Sequence, residues 1–170
     1  MKRNVVVFVL ASVMALGGCG KNKFEQEVEK EQGAVKLLRE TQSGGYGIVT
    51  AEELKKLADE KADMLLVDTM PYEDSYKKAH IPGAKQFLFP IPFMTKWDTD
   101  GTGGKTVDQY EDFLGQDKNR LIVVYCGFVK CTRSHNGAAW AIKLGYKNVK
   151  RFPGGIFAWK GAGFPTDAVE

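Results

Sequence analysis

A single run, Leu121–Leu144 (LIVVYCGFVKCTRSHNGAAWAIKL), constrains the fold more than any other stretch. Its continuous apolar opening, Leu121–Tyr125, suits a strand buried on both faces of a parallel sheet. Ala138, Ala141 and Ile142 recur at helical spacing, which predicts a helix starting near Arg133–Ser134. Cys126 follows the strand directly, and Gly127, Phe128, Val129, Lys130, Cys131 and Thr132 form a short loop before the helix. A thiol so placed lies at the carboxyl end of a strand, where open α/β sheets seat their ligands. It also faces the amino end of a helix, whose free N–H groups and dipole favour an anion. Lys130 and Arg133 add positive charge. Together these effects predict a reactive Cys126 thiolate, against the inert buried thiol that cysteine most often is.

The amino terminus reads as a targeting segment. Lys2 and Arg3 give a charged start, and Val5–Leu16 is an apolar stretch too short for an ordinary spanning helix. It ends in Leu16-Gly17-Gly18-Cys19, which resembles the bacterial lipobox, where a peptidase cuts before the cysteine and lipid joins its sulfur. The expected organisation is a signal peptide over residues 1–18, a lipid-anchored flexible tether over 19–44 and a folded domain over 45–168. The tether rests on the Lys-, Glu- and Gln-rich composition of Lys21–Gln42, helical only around Val35–Leu38, and on the Ser43-Gly44-Gly45 boundary. Lipid on Cys19 implies a bacterial cell-envelope protein, membrane-attached and facing the periplasm. Gly20, in place of a retention Asp, points to the outer membrane. Without Met1–Gly18 the chain carries 22 basic against 21 acidic residues, which argues against nucleic acid as a partner.

From Tyr46 strands and helices alternate. Ile48-Val49, Met64–Val67, Gln86–Phe89, Leu121–Tyr125 and Val149–Phe152 read as strands. Thr50–Glu53 and Thr106–Gln109 have capping-box spacing and open helices. Tyr72–Lys78 and Ile156–Lys160 look helical, and Pro90–Lys105 is a long connection. This alternation predicts a parallel α/β sheet covered on both faces, with no internal repeat. Gly104-Lys105-Thr106 ends like a phosphate-binding loop, but Thr99 stands where the first Gly is required. Asp98–Gly103 starts like a calcium loop, but Gln109 stands where a bidentate Glu is required.

Asp68, His80-Ile81-Pro82-Gly83-Ala84, Cys126, Arg133-Ser134, Ala138-Ala139, Gly145–Val149, Gly154-Gly155-Ile156 and Trp159 through Gly163-Phe164-Pro165 follow one another in an order that resembles a single-domain rhodanese. The resemblance covers about Tyr46–Pro165. It implies a five-stranded parallel sheet with helices on both faces and a catalytic Cys126 that accepts sulfane sulfur as a persulfide. The sulfur would come from a small sulfur-containing anion or a persulfide and pass to a thiol acceptor, with no metal or organic cofactor and in a monomer. The loop Gly127–Arg133 would cradle the anionic sulfur through its N–H groups, with Arg133 binding the donor or bracing the loop. Asp68, Ser134 and His80 are supporting residues, His80 as a hydrogen-bonding member of its turn. His135 is expected at the surface or behind the site.

Three departures bear on chemistry. Met70 stands where the family carries an Arg, removing one brace of the loop. Six residues separate Cys126 from Arg133, two more than in the common sulfurtransferase loop and one more than in related phosphatases and arsenate reductases. Cys131 lies on the same loop and is a candidate resolving thiol, able to form a disulfide or to shield Cys126 from over-oxidation. The dithiol also supports an alternative function, a thiol-disulfide redox protein using Cys126 and Cys131. In a third reading the fold is a binding module presenting Phe93, Met94 and Trp97, which otherwise shield the cysteine.

Overall fold

The computed structural model describes residues 22–169; the expected leader and the lipidation site Cys19 lie outside them. In chain order the elements are α1 (Lys23–Gly44), β1 (Gly47–Ile48), α2 (Ala51–Asp59), β2 (Met64–Asp68), β3 (Lys85–Gln86), α3 (Val107–Leu114), β4 (Leu121–Tyr125), α4 (Arg133–Lys143), β5 (Val149–Phe152) and α5 (Gly155–Gly161). The strands form one five-stranded parallel sheet in the order β1-β5-β4-β2-β3, as expected. β4 is the central strand, paired with β2 from Met64↔Leu121 to Asp68↔Tyr125 and with β5 from Ile122↔Val149 to Tyr125↔Phe152.

Successive strand residues point to opposite faces, and here both faces are apolar. Leu65, Val67, Ile122 and Val124 pack with Tyr110 and Leu114 of α3 and Ala138 and Ala141 of α4. Leu66, Val123 and Tyr125 face the other way, onto Leu54 of α2 and Ile156 and Trp159 of α5. Each such Leu or Val gives about 1.5–3 kcal/mol by leaving water. This double burial fixes the carboxyl end of β4, and with it Cys126. The capping boxes Thr50–Glu53 and Thr106–Gln109 form as their spacing predicts.

Residues 23–44 correct the tether expectation. They form one helix, opened by an Asn22–Glu25 capping box and closed by Gly45 at φ 70°. Glu, Lys and Gln are good helix formers and no Pro interrupts them, so the same composition suits helix and solvated chain alike. α1 packs on α4. Its docking is polar: Glu40 is buried against Arg151 while Phe24 and Leu38 stay exposed, so no apolar stripe announced it. Among the described residues no helix is long and apolar enough to cross a membrane.

Smaller differences have local causes. Tyr72–Tyr76 is a single π-helical turn, with Tyr76 and Lys77 N–H bonded to Pro71 and Tyr72 carbonyls. The third strand shortens to Lys85–Gln86, although Phe87 N–H still reaches the Asp68 carbonyl at 2.9 Å. In the 90–105 connection only Phe93 matches the expected exposed shield. Met94 is buried, and Trp97 packs edge-on against Phe89 and Trp140, so both belong to the core. Asn136 of α4 pins this loop, accepting from Met94 N–H at 3.0 Å and donating to the Pro90 and Pro92 carbonyls at 2.9 Å.

Candidate active site

Cys126 follows β4 directly, and its carbonyl accepts Ile156 N–H at 2.9 Å while Gly127 O accepts Phe157 N–H at 3.0 Å. The first turn of α5 therefore clamps the start of the loop. A turn closed by Cys131 N–H to Phe128 O, at 2.9 Å, folds the loop back over the thiol. Cys126 is fully buried. Its sulfur lies 3.1 Å from Ser134 Oγ and 3.4 Å from the Cys131 carbonyl oxygen. Both cysteines are free thiols.

One guanidinium organises this loop from below. Arg151 of β5 has no exposed surface, and it donates to Ser134 Oγ at 2.8 Å, to Cys131 O at 2.8 Å and to Val129 O at 3.4 Å. Its Nη1 pairs with Glu40 of α1 at 2.6 Å and reaches Tyr46 Oη at 3.3 Å. With Arg151 donating to its oxygen, Ser134 is free to aim its own hydrogen at the Cys126 sulfur. α1 adds Lys36, which donates to Lys130 O at 2.5 Å and to Thr132 Oγ1 at 2.9 Å. Glu40 and Arg151 were not singled out by sequence reasoning. The one available signal was a basic residue at a buried position of β5; its acidic partner is 111 residues away in sequence, in a stretch that reads as solvated.

The predicted residues divide. Arg133 donates to the Phe89 carbonyl, so it braces the loop. Thr132 is buried, whereas Phe128, Val129 and Lys130 form the exposed tip, with Phe128 5.6 Å from the Phe157 ring. Asp68 accepts Met70 N–H at 2.8 Å, and the Met70 side chain lies beside Gly127, so packing takes the place of the missing Arg brace. Burial raises the Asp68 carboxyl above its ordinary range, opposed by Met70 N–H and the Tyr125 hydroxyl. His80 stacks on Tyr76 at 4.1 Å and bonds its carbonyl at 2.9 Å, a structural member of its turn. Among the described residues no cluster of three or more His, Cys, Asp or Glu could hold a metal ion.

What surrounds Cys126 opposes the expected thiolate. Burial, then its hydrogen bond with Cys131, push the Cys126 thiol well up, and the Ser134 hydroxyl and N–H offset this only in part. Cys131 moves down to about 6, because the bond from Cys126, the N–H groups of Arg133 and Gly127 and the Arg133 charge outweigh its burial. The two thiols titrate as a pair, since one cradle does not readily hold two adjacent anions. Burial disfavours the anion on Cys126, while the N–H groups of Gly127 and Arg133 favour it on Cys131.

His135 is buried, not at the surface. Its Nδ1 meets Tyr46 Oη at 2.8 Å and Phe93 stacks on its ring at 4.6 Å. Burial holds its pKa down to about 4, aided by the Arg151 and Lys36 charges against Glu40. The folded value is depressed, so the associated stability is complete above the unfolded pKa of about 6.5 and is lost as pH falls toward about 4. Urea unfolding of the wild type should lose about 3 kcal/mol across that window, and His135→Gln should flatten this part of the profile. Parallel losses in both proteins would assign the acid sensitivity to other groups.

A parallel α/β sheet with a cysteine in the loop between its central strand and the following helix is a rhodanese-like architecture. The Rhodanese-like domain family matches residues 50–162, and the chain belongs to it. An HTH-type transcriptional regulator of Mycobacterium tuberculosis is 31% identical over 120 residues, 71% of this chain. The chain spans only 44% of that relative's length. The thiosulfate sulfurtransferase of Pseudomonas aeruginosa aligns with TM-score 0.58 and 21% identity over 79% of this chain and 23% of its own. The polysulfide-sulfur transferase homodimer of Wolinella succinogenes aligns with TM-score 0.55 and 13% identity over 86% and 90%. These likenesses show the fold.

Proposed function

We propose that the chain is a sulfurtransferase or sulfane-sulfur carrier that loads sulfur onto Cys126 and hands it to a thiophilic acceptor. The observation that carries this reading is the Cys126 sulfur 3.1 Å from the Ser134 hydroxyl, between the central strand and its helix. Family membership and the sulfur-transferring structural relatives support it. Because Cys126 is buried, the Phe128–Cys131 turn swings aside to admit a donor, drawn by Lys130 and Arg133. Cys126 then gives its proton to the Cys131 thiolate and attacks the sulfane sulfur of thiosulfate, polysulfide or a persulfide. The donor S–S bond breaks and sulfite, a shortened polysulfide or a thiolate leaves. Cys126 carries a persulfide that a thiol, or cyanide in vitro, removes.

Intact mass after exposure to thiosulfate or polysulfide, with thiocyanate formation from cyanide, tests this. A gain of one sulfur atom that Cys126→Ser abolishes is expected; turnover surviving in Cys126→Ser would overturn the assignment. A second reading, thiol-disulfide exchange independent of sulfane sulfur, is favoured by two free thiols on one loop, with the Cys126 sulfur 3.4 Å from the Cys131 carbonyl. It predicts a reversible Cys126–Cys131 disulfide with no response to sulfur donors.

A further inference from the structure

We infer that Cys131 is a second catalytic thiol: it resolves the Cys126 persulfide, releasing hydrosulfide and closing a Cys126–Cys131 disulfide that an external dithiol reopens. The inference rests on the sulfur-loading reading above and adds a reductive half to it. In the step, the Cys131 sulfur attacks Cys126 Sγ, and the bond between Sγ and the outer sulfur breaks. The outer sulfur leaves as hydrosulfide, taking the Cys131 proton. The Cys131 sulfur is oxidised by one electron, the outer sulfur is reduced by one, and the Cys126 sulfur is unchanged. The next dithiol returns both thiols by exchange.

Three observations carry this. Arg151 holds both cysteines at once, Cys131 through its carbonyl at 2.8 Å and Cys126 through Ser134 at 2.8 Å and 3.1 Å. Their separation is thus set by one buried, ion-paired guanidinium, and the Cys126 sulfur lies 3.4 Å from the Cys131 carbonyl. The loop is already bent back toward Cys126, by the Cys131 N–H to Phe128 O bond at 2.9 Å. Finally, the N–H groups of Gly127 and Arg133 face the Cys131 sulfur, so that sulfur occupies the anion cradle a loaded Cys126 would need for its outer sulfur. Loading therefore brings the outer sulfur and the Cys131 sulfur to the same cradle, and expulsion of one by the other relieves the conflict.

The test uses the full chain, reduced and then given thiosulfate without oxygen, so that sulfite is the leaving group and any sulfide arises from resolution. Intact mass, released sulfide and a peptide map are followed for wild type, Cys131→Ser and Cys131→Ala. The wild type should end two hydrogens lighter with Cys126 linked to Cys131, and should release about one sulfide per chain. Both variants lose the thiolate that takes the Cys126 proton and should load more slowly, but once loaded they should keep one added sulfur on Cys126 and release sulfide per loaded chain at least about tenfold more slowly. If the wild type holds its added sulfur on Cys126 as long as the variants do, the resolving role is wrong and sulfur loading stands; sulfur mapped to Cys131 would overturn both assignments. If neither the wild type nor either variant gains or turns over sulfur, with polysulfide in place of thiosulfate as well, both proposals fall together.

Discussion

Glu40→Ala should lower the unfolding free energy by about 3–5 kcal/mol in urea, as large as deletion of a core side chain, although the residue lies outside the matched domain. The reason is Arg151. That guanidinium has no solvent exposure, its 2.6 Å ion pair is with Glu40, and Glu40 is itself almost fully buried. Removing the acid leaves a full charge in the interior with only neutral partners: two loop carbonyls, Ser134 Oγ and Tyr46 Oη. Glu40→Gln keeps a hydrogen-bond acceptor while losing the charge and should lose less, about 1–3 kcal/mol. The paired replacement Glu40→Leu with Arg151→Met removes both charges, so stability should recover most of the way. Sulfur loading should not recover, because Ser134 and the Cys131 carbonyl lose their donor. A loss below about 1 kcal/mol for Glu40→Ala would mean that the Arg151 charge is compensated elsewhere.

The same contacts explain what the sequence could and could not disclose. β4 was legible because a strand buried on both faces must be continuously apolar, and Leu121–Tyr125 is. Thr50 and Thr106 announced their helices because capping chemistry is local, confined to four residues. Cys126 was legible from its place after that strand. Its protonation was not, because burial and a neighbouring thiol decide it, and neither is a local property. α1 escaped for a related reason: a helix docked by one ion pair and one lysine, not by an apolar stripe, leaves no periodic trace. His135 likewise follows the loop in sequence but is surrounded by Tyr46 and Phe93 from distant segments.

The thiol loop is thus held from both sides of the sheet by different physics. From the α4 side the grip is electrostatic, through Arg151, Glu40 and Lys36. From the α5 side it is steric, a close approach of backbone to backbone. Losing the first leaves an uncompensated charge; losing the second displaces the cysteine itself.

Gly155→Ala is the direct probe of that second grip. Gly155 has φ +58°, and a Cβ there would sit 2.1 Å from the Cys126 carbonyl oxygen and 2.7 Å from its carbon. Both contacts are backbone, so no rotamer change relieves them. The alanine also adopts the left-handed region at about 1–2 kcal/mol. To accommodate it, α5 must retreat from the strand end, which stretches Ile156 N–H to Cys126 O and Phe157 N–H to Gly127 O, now 2.9 and 3.0 Å. The expected result is a stability loss of about 3 kcal/mol or more. Cys126 loading should fall on the order of a hundredfold, since an ångström of displacement at a reacting atom has that effect. Gly161→Ala, in the same helix with open space around its Cβ, is the matched control and should leave loading unchanged while stabilising by about 0.4–1 kcal/mol. Equal behaviour of the two variants would show that the α5 clamp does not set the position of Cys126.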